Sequence, residues 1–201
     1  MITIQTLQKL GACLSQVDLF QEFLGGRQGV EPTPDAIRTA ALYGLAIEWA
    51  QSHGLLQIPD GMLLYKDGSK AWYLGGKLHR GDGPAVEGAD GRREWWIHGV
   101  RHRADGPAID VVNGTKEWWL NGQLHREDGP AVEWGKTHRE WFFHGQRHRE
   151  DGPAVERSNG SWAWYFGGLL HREDGPAVEW PSGTREWWTH GVRTRIEEGP
   201  K

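Results

Sequence analysis

The chain has 201 residues, with 29 glycines and 13 tryptophans but only 37% hydrophobic residues, so burial rests on a few large rings rather than on an aliphatic core. Its formal charge of −4 gives no bulk attraction to phosphate backbones and argues against direct nucleic-acid binding. The single cysteine, Cys13, excludes an internal disulfide, and no apolar run reaches the ~20 residues of a membrane helix.

Residues 1–55 carry helical periodicity. Ile4, Leu7 and Leu10 share one face of a first helix that stops at Gly11. Ser15 is expected to cap a second helix, with Val17, Phe20, Phe23 and Leu24 on its apolar side and Gly25-Gly26 at its end. Cys13 is read as a small buried residue there. A third helix opens at Thr33, with Pro34 at its first position and Asp35 at its positive end. Its buried stripe is Ile37, Ala41, Leu45 and Trp49, it runs to Gly54, and Gly44 weakens it by about 1 kcal/mol. The start, MITIQTLQKL, lacks the features of a secretory signal, and together with the lone cysteine it predicts a reduced, cytoplasmic setting.

From Asp60 the pattern changes. Asp-Gly-Pro recurs every 23 residues at Asp82, Asp105, Asp128, Asp151 and Asp174, after a shorter first copy at Asp60, and fades at Glu198-Gly199-Pro200. A fixed period signals a repeat architecture. Within 105–127, Asn113-Gly114 and Asn121-Gly122 both read as two-residue hairpin turns with positive φ. TKEWWL is expected to form one strand, and QLHREDGPAIDV the returning one, bent at the proline. The expected fold is therefore α+β: a helical domain or cap over 1–55, then an elongated antiparallel sheet over 60–201, built from about six β-hairpin repeats.

Adjacent aromatics fall at the same two positions of every repeat: Trp72-Tyr73, Trp95-Trp96, Trp118-Trp119, Trp141-Phe142, Trp164-Tyr165 and Trp187-Trp188. Neighbours on a strand face opposite sides, which predicts one aromatic column per side, held by ring-on-ring contact. The motif His-Arg-x-Asp-Gly-Pro pairs Arg80 with Asp82, Arg103 with Asp105, Arg126 with Asp128, Arg149 with Asp151 and Arg172 with Asp174. A catalytic or metal-binding His-Asp set is one reading. Repetition in every unit favours the other, a structural corner in which arginine stacks on an aromatic ring and pairs with aspartate. A zinc pair from His98 with His102, or His144 with His148, is also weighed, with no cysteine cluster to support it. The reading is of a non-enzymatic protein without catalytic residues, metal or cofactor.

The pattern G-x-x-EWW-x-NG-Q and the period near 23 resemble the MORN-type repeat in its variant form, over residues 60–200; HREDGPA lies outside the common pattern. That resemblance implies a non-enzymatic sheet that binds proteins or lipids, and variant members are labelled antitoxin-like. LQKLGACLSQVDLFQEFLGG with TPDAIRTAALYGLAIEWA is similar to the short N-terminal module of small phage and prophage proteins. This second resemblance implies an inhibitor at work in the host cytoplasm. Its protein partner would be a bacterial defence effector, making it an anti-CRISPR type of protein, or a toxin.

The expected partner contacts are the outer aromatics Trp96, Trp119, Phe142, Tyr165 and Trp188, with turn residues His98, Asn121, His144 and His190. The alternative is capture of a nucleotide or other small ligand on the Trp and Arg rows. The last repeat either caps the sheet edge or pairs with a second copy as a homodimer, and the sequence leaves both open.

Overall fold

A computed structural model describes residues 1–200, and the chain forms two compact units, Met1–Val100 and Arg101–Lys201. The architecture is α+β: four short helices precede antiparallel β-hairpin repeats.

The first unit holds helices α1 (Ile4–Lys9), α2 (Leu14–Leu24), α3 (Pro34–Leu42) and α4 (Ile47–Ser52). Thr3 caps α1 and Thr33 caps α3, each accepting a backbone N–H on its side-chain oxygen. Ser15 does not cap α2. The helix begins two residues earlier than that cap implies, at Leu14, and the N-cap is Cys13, which makes no side-chain cap bond. Cys13 is exposed, not buried, because at the cap it lies outside the face carried by Val17, Phe20 and Leu24. The third helix also differs from the expectation. Gly44, at φ +81°, breaks it into α3 and α4 instead of merely weakening it. The side chain of Gln16 spans the break, donating to the Gly44 carbonyl and accepting from the Ala46 N–H at 2.7 Å.

The helices and the first repeat share one core, in which Phe20, Leu24, Ile37 and Ile47 pack with Leu63 and Tyr73. Glu48 of α4 accepts the hydroxyls of Tyr65 and Tyr73, and Gln51 donates to the Gly76 carbonyl at 2.8 Å. Burial, then the bond to Glu48, pushes both phenols well above their ordinary value. The change from helix to strand thus falls inside one core, and the boundary between compact units lies at Val100, within the second repeat.

The second unit shows the repeat in full. Ile109–Asp110 pairs with Lys116–Glu117, which pairs in turn with Val132–Trp134 of the next repeat. Trp119–Leu120 then pairs with Gln123–Leu124 as a separate ribbon. The second to fifth repeats therefore each build two hairpins rather than one. The strand expected over TKEWWL is interrupted at Trp118, whose N–H donates to the Ala131 carbonyl while its own carbonyl accepts from His125. Trp72, Trp141 and Trp164 donate in the same way to Ala85, Ala154 and Ala177, which are fully buried. In the last repeat Arg185–Thr189 runs unbroken against Val192–Glu197, with a bulge at Trp187/Trp188.

The two turns of a repeat are of different kinds. Asn121 and Gly122 have φ of 51° and 78°, the geometry a tight hairpin turn requires. The equivalent His98, His144 and His190 sit at 48°, 46° and 48°. At the first turn only Gly114 has positive φ; Asn113 is there because its Oδ1 accepts the Thr115 N–H at 2.9 Å.

Candidate partner-binding surface

The motif arginine is the hub of each corner. Arg149 Nε donates to Asp151 Oδ1 at 2.8 Å, and Nη1 donates to the Pro153 carbonyl at 3.3 Å and to Glu156 at 3.1 Å. The same Nε bond joins Arg80 to Asp82 and Arg103 to Asp105 at 2.9 Å, and Arg126 to Asp128 and Arg172 to Asp174 at 2.8 Å. The bond and charge of the arginine hold all five aspartates below the usual carboxylate range.

The guanidinium also lies over the first aromatic of its repeat. Arg126 is 4.0 Å from the centre of Trp118, Arg149 4.0 Å from Trp141, and Arg172 4.2 Å from Trp164. Beneath it is the motif glycine: a Cβ on Gly152 would lie 2.6 Å from Arg149 Cζ. Close approach, not φ, is what requires glycine there.

The expected ring-on-ring columns are replaced by indoles that are each covered by a guanidinium of the same repeat. No ring contact joins two of Trp118, Trp141, Trp164 and Trp187. Successive repeats lie two strands apart, about 10 Å, which is beyond ring contact.

Trp96, Trp119, Phe142 and Tyr165 open the separate two-stranded ribbons, Trp188 lies in the last long hairpin, and all five are half-buried. Where this residue is tryptophan, its indole N–H donates to the glutamate two residues earlier: Trp96 to Glu94, Trp119 to Glu117 and Trp188 to Glu186. Phe142 has no such donor, and Glu140 instead meets His138 at 2.9 Å and Arg147 at 2.8 Å. Before Tyr165 the glutamate is replaced by Ala163, which is buried with Val155 and Val178. Arg147 lies over both Phe142 and Tyr165, at 5.4 and 5.6 Å.

The motif histidines link repeats. His79, His102, His125, His148 and His171 accept, on Nδ1, the N–H of His98, Asn121, His144, Gly167 and His190. The rings of His98, His144 and His190 rest on those of His79, His125 and His171 at 4.3, 4.5 and 4.3 Å. Their places are thus set by stacking on the preceding repeat. Among the described residues, no three His, Cys, Asp or Glu side chains are placed to hold a metal ion, and no helix is long and apolar enough to cross a membrane.

Sequence reasoning missed an aromatic file on the corner side. Phe143 and Phe166, 44% and 50% exposed, alternate with His125, His148 and His171 at centroid distances of 4.7–6.1 Å. The only sequence signal is phenylalanine where other repeats carry Ile97, Leu120 or Thr189. Beside this file lie two grooves one repeat apart. One, of about 890 Å³, runs from Arg126–Pro130 to Arg149–Asp151 over Trp141 and Phe143. The other, of about 700 Å³, runs from Arg103–Pro107 to Arg126–Asp128 over Trp118 and Leu120.

These features define a β-repeat scaffold with one outward surface written several times. No family model matches the chain, and no curated protein matches it.

Proposed function

We propose that the chain is a non-enzymatic, MORN-type binding protein that captures a protein partner and inhibits it by covering its working surface. The observation that carries this reading is the pair of grooves at equivalent positions, each walled by consecutive corners and floored by an indole with either Phe143 or Leu120 beside it. A rigid surface repeated at a fixed interval suits recognition of an extended partner. The likeness of the first 55 residues to phage and prophage modules supports a bacterial defence effector or a toxin as the target.

The groove side carries the contact better than the second-aromatic row. Phe143 and Phe166 are half exposed, whereas Phe142 and Tyr165 share Arg147 as a cover. The turn residues His144 and His190 border the same edge and belong to the proposed contact. The test is affinity capture from a bacterial lysate by the protein and by the Phe143→Ser/Phe166→Ser variant. The reading expects a protein held by the first and lost by the second, with equal thermal midpoints. Equal capture by both, or none by either, overturns it.

A further inference from the structure

The grooves have a consistent electrostatic layering. Arg126 and Arg149 are 22% exposed, while Asp128 and Asp151 beside them are 84% exposed. Glu127, Glu150 and Glu173 stand at the same tips, 79%, 81% and 88% exposed. At the Arg126 and Arg149 corners the guanidinium meets an aspartate and a strand glutamate, Glu133 or Glu156, and the tip glutamate adds a further carboxylate, so negative charge is in excess and the tip carboxylates lie outermost. The floor below is lined by Trp141, one face of which Arg149 covers, and by the exposed ring of Phe143.

Carboxylates above aromatic rings are what a guanidinium or ammonium group meets favourably on both sides. An anionic partner such as nucleic acid would meet the carboxylates first. The spacing adds a constraint. Each repeat contributes two strands to the sheet, which sets the grooves roughly 10 Å apart. A peptide in the extended polyproline II conformation covers about that distance in one turn of three residues, which brings every third side chain to the same face.

We propose that the grooves between successive corners bind an extended, basic segment of the partner protein, seating one Lys or Arg side chain per repeat, at every third residue. This rests on the reading of the chain as a partner-binding scaffold and names the chemistry of the segment bound.

The probe is a fluorescein-labelled twelve-residue peptide, (Arg-Ser-Gly) repeated, read by fluorescence anisotropy. Its block isomer, with the arginines contiguous, is the spacing control. The variant Glu127→Gln/Glu150→Gln/Glu173→Gln removes three tip charges outside the arginine hubs. Asp18→Asn/Glu22→Gln/Glu198→Gln removes the same charge elsewhere. The spaced peptide is expected to bind about tenfold more weakly to the tip variant and within twofold of the parent to the control variant. The block isomer is expected to bind the parent at least threefold more weakly.

Equal weakening by both variants, equal binding of both isomers, or no binding of the spaced peptide overturns the inference. If the peptide fails while the Phe143→Ser/Phe166→Ser variant still loses its captured protein, this inference falls and the scaffold reading stands. If capture is also unaffected, both fall.

Discussion

His148 Nδ1 accepts the backbone N–H of Gly167, 19 residues further on, at 3.1 Å. An Nδ1 that accepts must be unprotonated, so the tautomer carries its hydrogen on Nε2, which faces Glu150 at 3.8 Å. The bond ties one repeat's corner to the next repeat's tight turn. An asparagine can present its side-chain oxygen near the same place. His148→Asn is expected to keep most of the stability, while His148→Leu loses about 1 kcal/mol by leaving the N–H without its partner. Urea unfolding compares the two; equal losses would show that the bond contributes nothing.

Arg149→Ala is expected to cost about 2–3 kcal/mol, since it uncovers Trp141 and removes the bonds to Asp151, Pro153 and Glu156. Gly152→Ala acts through the same residue, because its Cβ would displace Arg149 from 2.6 Å. The two changes should not be additive. Thermal unfolding of the double variant is expected to show a loss well below the sum of the single losses, and strict additivity would separate the glycine from the hub.

Acid stability follows from the five corner aspartates. Their folded-state values lie below the ordinary one because each accepts a bond from a guanidinium and feels its charge. A carboxylate depressed on folding contributes stability above its unfolded value, near pH 3.9, and loses it as pH falls toward the folded value. Unfolding midpoints from pH 7 to pH 2 are therefore expected to drop on the acid side. The Asp128→Asn/Asp151→Asn/Asp174→Asn variant should start lower at pH 7 and fall less steeply. An unchanged acid limb would contradict this.

Ala163 tests the link between neighbouring positions on the second-aromatic side. Ala163→Glu alone places a carboxylate at a site 2% exposed, and it is expected to cost about 3–5 kcal/mol. Adding Leu170→Arg restores the arrangement of Glu140 with Arg147 and should recover part of that loss. Calorimetry of the single and double variants measures it. No recovery would mean that the fifth repeat cannot accept the polar form.

Much of this fold was legible because repetition averages out local ambiguity. The period, the helix–strand transition and the tight turn at Asn121-Gly122 could be read directly, since only a few residue types suit positive φ. The break at Trp118 was not legible, because its cause is the carbonyl of Ala131 in the next repeat, and nothing local marks it. The same holds for the rings: TKEWWL shows two aromatics but not that the first is covered by the arginine of the corner that follows it. Ser15 and Gly44 misled for another reason. Capping signals tolerate a shift of a residue or two, and a glycine inside a helical pattern breaks it only where tertiary partners, here Gln16, stabilise the break. The grooves depend on which strand residue faces the corner, and that needed the register.

The central claim is that each repeat is held by a guanidinium fixed over an indole, and arginine side-chain NMR tests it most directly. In ¹H–¹⁵N spectra at neutral pH, the Nε–H signals of Arg80, Arg126, Arg149 and Arg172, whose guanidiniums lie 4.0, 4.0, 4.0 and 4.2 Å from ring centres, are expected to be ring-shifted and slow to exchange. Each should vanish singly on its own Arg→Lys change. Signals at the free-arginine position, exchanging rapidly with water, would contradict the account.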